Sequence, residues 1–176
     1  MISKILRGVG ATILAICATG VAMAQDSTNR VAAKTDWSVF VEADPKECWG
    51  VSAPKETVNT RDGQEVTVRR DDILLFITFR PGSNVSGEVS FTGGYPFASD
   101  STVSMAVDGE TFELFTDGEW AWSGSQQDDE QIIEALKKGS SAVLTARSSR
   151  GTRTQDTFSL LGFTAAMDEA AQRCAC

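Results

Sequence analysis

No histidine occurs among the 176 residues. That removes imidazole as general base, pH switch and metal ligand. Ser-His-Asp and Cys-His catalysis go with it, as do the histidine-bearing zinc sites. Positive charge is also scarce: 16 Lys and Arg stand against 24 Asp and Glu, a formal charge of −8. Phosphate-rich surfaces repel such a chain, which argues against nucleic acid and anionic membrane as bulk partners. After residue 24 there is no apolar run of 18 residues, and so no candidate spanning helix. Internal repeats and low-complexity tracts are missing too. What is there is ordinary for a globular chain, 41% apolar and 23% charged, at a length that fits one domain.

The first residues read as an address. Lys4 and Arg7 make a short basic start, residues 9–21 are uncharged and apolar, and Ala22-Met23-Ala24 offers small residues where a signal peptidase reads. The pattern predicts a secretory signal over residues 1–24, cleaved after Ala24. About a dozen apolar residues are too few to cross a hydrocarbon core of about 30 Å. Residues 25–35 are polar and aperiodic and predict a flexible tail. Residues 36–176 then form a single β-rich domain in a periplasmic or surface-associated protein.

Outside the cytoplasm, cysteines pair. Cys48, Cys174 and Cys176 remain once Cys17 is removed with the signal. Met167, Ala170, Ala171 and Cys174 recur at the spacing of a helix's inward stripe, which turns Cys174 toward the domain body. The expected bridge is Cys48–Cys174, with Cys48–Cys176 as the rival. A Cys174/Cys176 thiolate pair for a soft metal is a weaker alternative, because no His or Met partner is near in sequence. No cofactor is implied.

From Trp37 onward the dominant period is two. Trp37, Val39 and Val41 alternate, residues 48–53 and 65–70 read as strands, and residues 73–79 form an almost unbroken apolar strand. Residues 85–92 follow. Asp108-Gly109 and Asp117-Gly118 then mark tight hairpin turns in a meander through Phe112, Leu114, Trp120 and Trp122. One helix interrupts it. Ser125 with Asp128 makes a capping-box-like start, Ile132, Ile133 and Leu136 form the stripe, and Gly139 ends it. Residues 141–147 and 154–161 return as strands, and a last helix runs from a Thr164 cap to about residue 173. The expectation is a mostly β fold, an antiparallel sandwich or partly open barrel with one inserted short helix and a C-terminal helix.

Candidate chemistry is thin. Trp120 and Trp122, two apart on a strand, share one face and read first as core packing, with a surface binding platform as the alternative. Arg147, Arg150 and Arg153 cluster at one hairpin; they either receive a carboxylate or phosphate or guard a strand edge. The Asp-Gly-Glu runs lack the alternating oxygen ligands of a calcium loop and read as turns. Asp71 and Asp72, adjacent on a strand, point to opposite faces and make a poor catalytic pair. No enzyme constellation emerges. A remote alternative is a carboxylate-based hydrolase, which needs two carboxylates facing each other in a pocket.

The C-terminal third carries a resemblance. Ser148-Ser149-Arg150-Gly151-Thr152, followed by Asp156-Thr157-Phe158-Ser159-Leu160-Leu161-Gly162-Phe163-Thr164-Ala165-Ala166, resembles the invasion-associated locus B family of small exported alpha-proteobacterial proteins. Trp37 in the first strand, Cys48 in the next, the Asp108-Gly109 hairpin and the helix ending at Gly139 also match the family's pattern. The chain departs from it at Trp120-Ala121-Trp122, where members often carry a cysteine pair. The resemblance implies a periplasmic or surface-associated β-protein, linked in some members to host-cell invasion; the expected function is a non-enzymatic exported binding or envelope-interaction protein whose partner is a protein or envelope component. The resemblance brings no catalytic residue.

Overall fold

The computed structural model describes residues 29–175. The expected signal at 1–24 and Cys176 lie outside the described residues. Within them the chain forms twelve strands and two α-helices, and the strands join in one antiparallel sheet.

The first strands are β1 (Arg30–Lys34), β2 (Trp37–Ala43), β3 (Lys46–Ser52), β4 (Glu56–Arg61) and β5 (Gln64–Glu65). Next come β6 (Leu74–Arg80), β7 (Val85–Thr92), β8 (Thr102–Val107), β9 (Glu110–Asp117) and β10 (Trp120–Trp122). Helix α1 (Gln126–Lys138), strands β11 (Ser141–Arg147) and β12 (Arg153–Ser159), and helix α2 (Phe163–Ala175) complete the chain. The sheet order is β1-β2-β3-β6-β7-β10-β9-β8-β11-β12-β4-β5.

That order forces the sheet to roll. β3 stands third and β4 eleventh, yet only residues 53–55 join them. Four steps of extended chain reach at most about 14 Å, so strands near opposite ends of the order must lie side by side. Cross-links confirm the closure. Trp37 Nε1–H donates to the Ser159 carbonyl at 3.0 Å, and the Asp36 N–H to the Leu161 carbonyl at 3.2 Å. The mostly β expectation, sandwich or partly open barrel with two helices, holds.

The rolled sheet buries one face. Trp37, Val39, Leu75, Ile77, Val89, Phe91, Leu114 and Phe158 are all essentially solvent-free and alternate with outward residues along their strands. Each such side chain contributes on the order of 1.5–3 kcal/mol by burial. Helix α2 packs against the inner side of β1 to β3 and β6 through Phe163, Ala166, Met167 and Ala170. Trp37 meets Phe163 edge-on at 4.9 Å. The Cys48–Cys174 disulfide bolts the end of α2 to β3 across 126 residues of sequence.

Several expectations need correction. The tail predicted over 25–35 is ordered from Arg30: Ala32, Ala33 and Lys34 pair with Val39, Ser38 and Trp37, so backbone pairing wins where periodicity is silent. Residues 66–70 are not a strand. Val66 N–H still donates to Asn59, but Arg70 then turns into the interior and the chain leaves the sheet. In its place β4 pairs with β12, a strand that residues 56–61 did not advertise because one face is only half-covered. The last helix starts at Phe163, one residue before the expected Thr164 cap.

The inserted helix matches its signals. The Ser125 side chain accepts from the Asp128 N–H, and Lys137 and Lys138 sit in the last turn. Gly139 ends it for a different reason than expected. Its backbone is extended (φ −82°, ψ 165°), not left-handed, and a Cβ there would stand 2.6 Å from Val107 Cγ1. Close packing demands the glycine.

Candidate functional site

Trp120 and Trp122 lie on the outer face of the sheet, not in the core. Ala121 between them takes the buried position. Trp120 is 39% exposed and Trp122 is half-buried, their rings stacked at 6.3 Å. The core reading of this pair is therefore overturned, because β10 presents its small residue inward and its large ones outward.

They have company. Phe76 on β6 sits 5.7 Å from the Trp120 ring, and Trp49 on β3 stacks against Phe40 on β2 at 5.6 Å. Phe115 on β9 is the register partner of Trp122 and is 60% exposed. Aromatic side chains from five of the six strands running from β2 to β9 in the sheet order thus line the convex face of one half of the sheet. Between Trp49, Phe76 and the two β10 tryptophans runs a groove of about 360 Å³.

One end of that groove is charged. Arg80 donates from Nε to Glu47 and from Nη2 to Glu88, both at 2.5 Å. Those carboxylates hold the guanidinium's pKa above its ordinary value, Glu88 contributing most. A pair of carboxylates in a groove is what the hydrolase alternative requires. Here both carboxylates accept from the one Arg80 guanidinium.

The arginine cluster separates. Arg147 and Arg153 are register partners across the β11–β12 hairpin and point outward. Arg150, at the tip, instead lines a basin of about 540 Å³ with Arg61, Arg69 and Tyr95. Arg61 Nη2 donates to Thr152 Oγ1 at 2.6 Å. Arg147, Arg150 and Arg153 therefore form no single site, and none of them joins the tryptophans.

Beneath the basin lies the seam of the rolled sheet. Arg70 donates from Nη1 and Nη2 to the two carboxylate oxygens of Asp156 at 2.7 and 2.6 Å, and from Nε to the Gly93 carbonyl at 2.8 Å. The Arg70 side chain is 6% exposed and that of Asp156 not at all. Burial raises the Asp156 carboxyl above its usual range, and the Arg70 fork pulls part of that back. Arg70 also lies 5.0 Å over the Tyr95 ring, whose hydroxyl bonds Thr154 Oγ1. A buried pair with every bond in place holds the seam.

At α1, Asp129 is buried and accepts from the Val89 N–H at 2.8 Å and the Ser123 hydroxyl at 2.6 Å. Desolvation raises its pKa above the ordinary value. It ties the helix to β7. Neither the Asp129–Val89 contact nor the Arg70–Asp156 pair could be found from spacing, because each joins residues 40 or more apart. The aromatic row had a weak signal: Phe40, Trp49 and Phe76 each occupy the strand position between two apolar or small residues.

Cys48 and Cys174 are bridged, with Cα atoms 5.8 Å apart. The bridge commits Cys174, so it is not a thiolate partner for Cys176 in a soft-metal site. Among the described residues, no group of three or more His, Cys, Asp or Glu could hold a metal ion.

These features define the class by architecture: a rolled antiparallel β protein that carries aromatic side chains on its convex face. A model of the Invasion associated locus B (IalB) protein family matches residues 37–171, and the chain belongs to that family. Among solved structures it is similar to invasion associated protein B from Bartonella henselae, at 14% identity and a TM-score of 0.55. That match covers 80% of this chain and 95% of the other, and it shows a shared fold. A search of the curated proteins returns no match.

Proposed function

We propose that this chain is an exported, non-enzymatic envelope-interaction protein that binds a protein partner through its convex aromatic face. The observation that carries the reading is the exposure of Trp120 and Phe115 beside Trp122 and Phe76 in an otherwise polar, acidic molecule. Tryptophan and its aromatic neighbours supply most binding energy at protein interfaces, and contiguous exposed apolar patches mark such sites. The Arg80 fork at the groove's edge adds the polar rim that fixes register.

Export rests on the basic start, apolar run and Ala22-Met23-Ala24 of residues 1–24, with cleavage after Ala24 and residence in the periplasm or on the surface. Family membership supports it, as does a bridged cysteine pair, which persists in oxidising compartments. No helix among the described residues is long and apolar enough to cross a membrane.

The test places a photo-crosslinking residue at Phe115 in living cells, with exposed Gln155 as the control position. One identified protein joined to position 115, absent at 155 and lost on Trp120→Ala, supports the reading. Adducts to glycan or lipid alone, equal yields at both positions, or a reduced cytoplasmic chain still carrying residues 1–24 would overturn it.

A further inference from the structure

We infer that the basin lined by Arg61, Arg69 and Arg150 is a binding site for a phosphate-bearing ligand, separate from the aromatic face. The argument starts from the chain that builds it. Residues 68–71 run along the basin wall, where Arg70 is tied to Asp156 in the seam below while Arg69 and Asp71 border the basin beside it. The wall is held close. The Asp71 N–H donates to the Gly94 carbonyl at 3.0 Å, and a Cβ on Gly94, whose φ is +72°, would stand 2.4 Å from Asp71 O. Only glycine admits that approach. The opposite wall is the β11–β12 hairpin, where the Ser148 hydroxyl accepts from the Thr152 N–H and so sets the turn that carries Arg150.

Arginines from three separate segments line this one basin in a chain whose net charge is −8. Among the described residues Arg69 and Arg150 make no ion pair, although Asp71 and Glu119 also border the basin, and Arg61 donates to the neutral Thr152 hydroxyl. In an acidic protein, arginines left unneutralised around one concavity are built for something outside the chain. Each fork can take two oxygens of an oxyanion, and one planar carboxylate saturates a single fork. A phosphate, with three terminal oxygens, engages several. The volume of about 540 Å³ exceeds a free ion and suits a phosphorylated small molecule or a lipid headgroup. Asp71 and Glu119 at the rim set a limit on how much negative charge the ligand brings.

The chain's single tyrosine, Tyr95, lies in this basin and gives one ring signal to follow. Disulfide-intact protein is titrated with inorganic phosphate while the isotope-labelled Tyr95 ring is observed by NMR. In parallel, binding to phosphatidylcholine vesicles with and without phosphatidic acid is measured by sedimentation. A saturable shift with free phosphate points to a soluble ligand; binding only to phosphatidic acid vesicles points to a headgroup; either supports the site. Arg69→Gln and Arg150→Gln, both exposed and safe for folding, should each weaken binding about tenfold or more, whereas Arg147→Gln on the outer side of the hairpin leaves it unchanged. Absence of saturable binding in both arms, or equal loss from Arg147→Gln, would overturn the inference. Neither outcome bears on the aromatic face.

Discussion

The two faces of the rolled sheet use the same residue types to opposite ends. On the inner face Trp37, Phe91, Phe158 and Phe163 are sealed from solvent and meet one another edge to face. On the outer face Phe40, Trp49, Phe76, Phe115, Trp120 and Trp122 form a band that water still reaches, with Phe40 against Trp49 and Phe76 against the Trp120–Trp122 pair. An aromatic ring gains its burial energy once, either in folding or in binding. The inner rings have spent it; the outer ones have largely kept it. Charge divides the same way: Arg70 borders the basin but is committed to Asp156 in the seam, while Arg69, one residue earlier, makes no ion pair among the described residues.

Substitutions can break or sharpen that contrast. The largest effect is expected at the seam. Arg70→Ala leaves the Asp156 carboxylate buried and unpaired and should cost about 3–5 kcal/mol in urea unfolding. Replacing both partners together, Arg70→Met with Asp156→Leu, should recover most of it. A similar loss, about 3–5 kcal/mol, is expected from Trp37→Ala. Equal losses from Trp37→Ala and Trp120→Ala would erase the difference between the faces.

Opening the bridge by Cys48→Ser should cost about 2–5 kcal/mol, since the closed loop is long. Urea midpoints under oxidising conditions check it. Asp129→Ala removes the acceptor of the buried Val89 N–H and should cost about 1–3 kcal/mol.

Asp129→Asn keeps an acceptor and tests charge alone. The carboxyl's folded pKa is raised above its unfolded value of 3.8, so the folded state holds the proton more tightly. Its contribution to stability therefore falls as pH rises from the unfolded value through the raised one. The asparagine variant should flatten that part of a stability–pH curve. Asp156 adds a slope of the same sign; Asp36 and Glu169, lowered by Lys55 and Arg173 respectively, oppose it at lower pH. The smallest change in stability is expected on the outer face, where Phe115→Ser should stay within about 0.5 kcal/mol while weakening partner capture.

Much of the fold was legible because it is local. Asp108-Gly109 predicts its hairpin, and both residues do have positive φ (44° and 100°). Ser125 predicts its helix start, and the stripe ending in Cys174 predicts which thiol faces Cys48. These signals fall within a few residues, where backbone preference and side-chain period are read directly. The tryptophan pair shows the limit. Period two says that Trp120 and Trp122 share a face, but not which face; that depends on what lies across the sheet. The arginine hairpin shows it again: three residues close in sequence point two ways, and Arg150 finds its companions in Arg61 and Arg69.

By itself, then, the sequence determined the class: an antiparallel β protein with two helices, a sulfur bridge near its C-terminus, membership of its family and no imidazole chemistry. The tertiary structure alone decided that the sheet rolls, that Arg70 meets Asp156 across 86 residues, and which aromatics face water. The physical reason is the same throughout. Turns, caps and periodicity are set by neighbours along the chain, whereas closure, burial and convergence are set by neighbours in space, and these form only when strands far apart in order are brought together by a three-residue link.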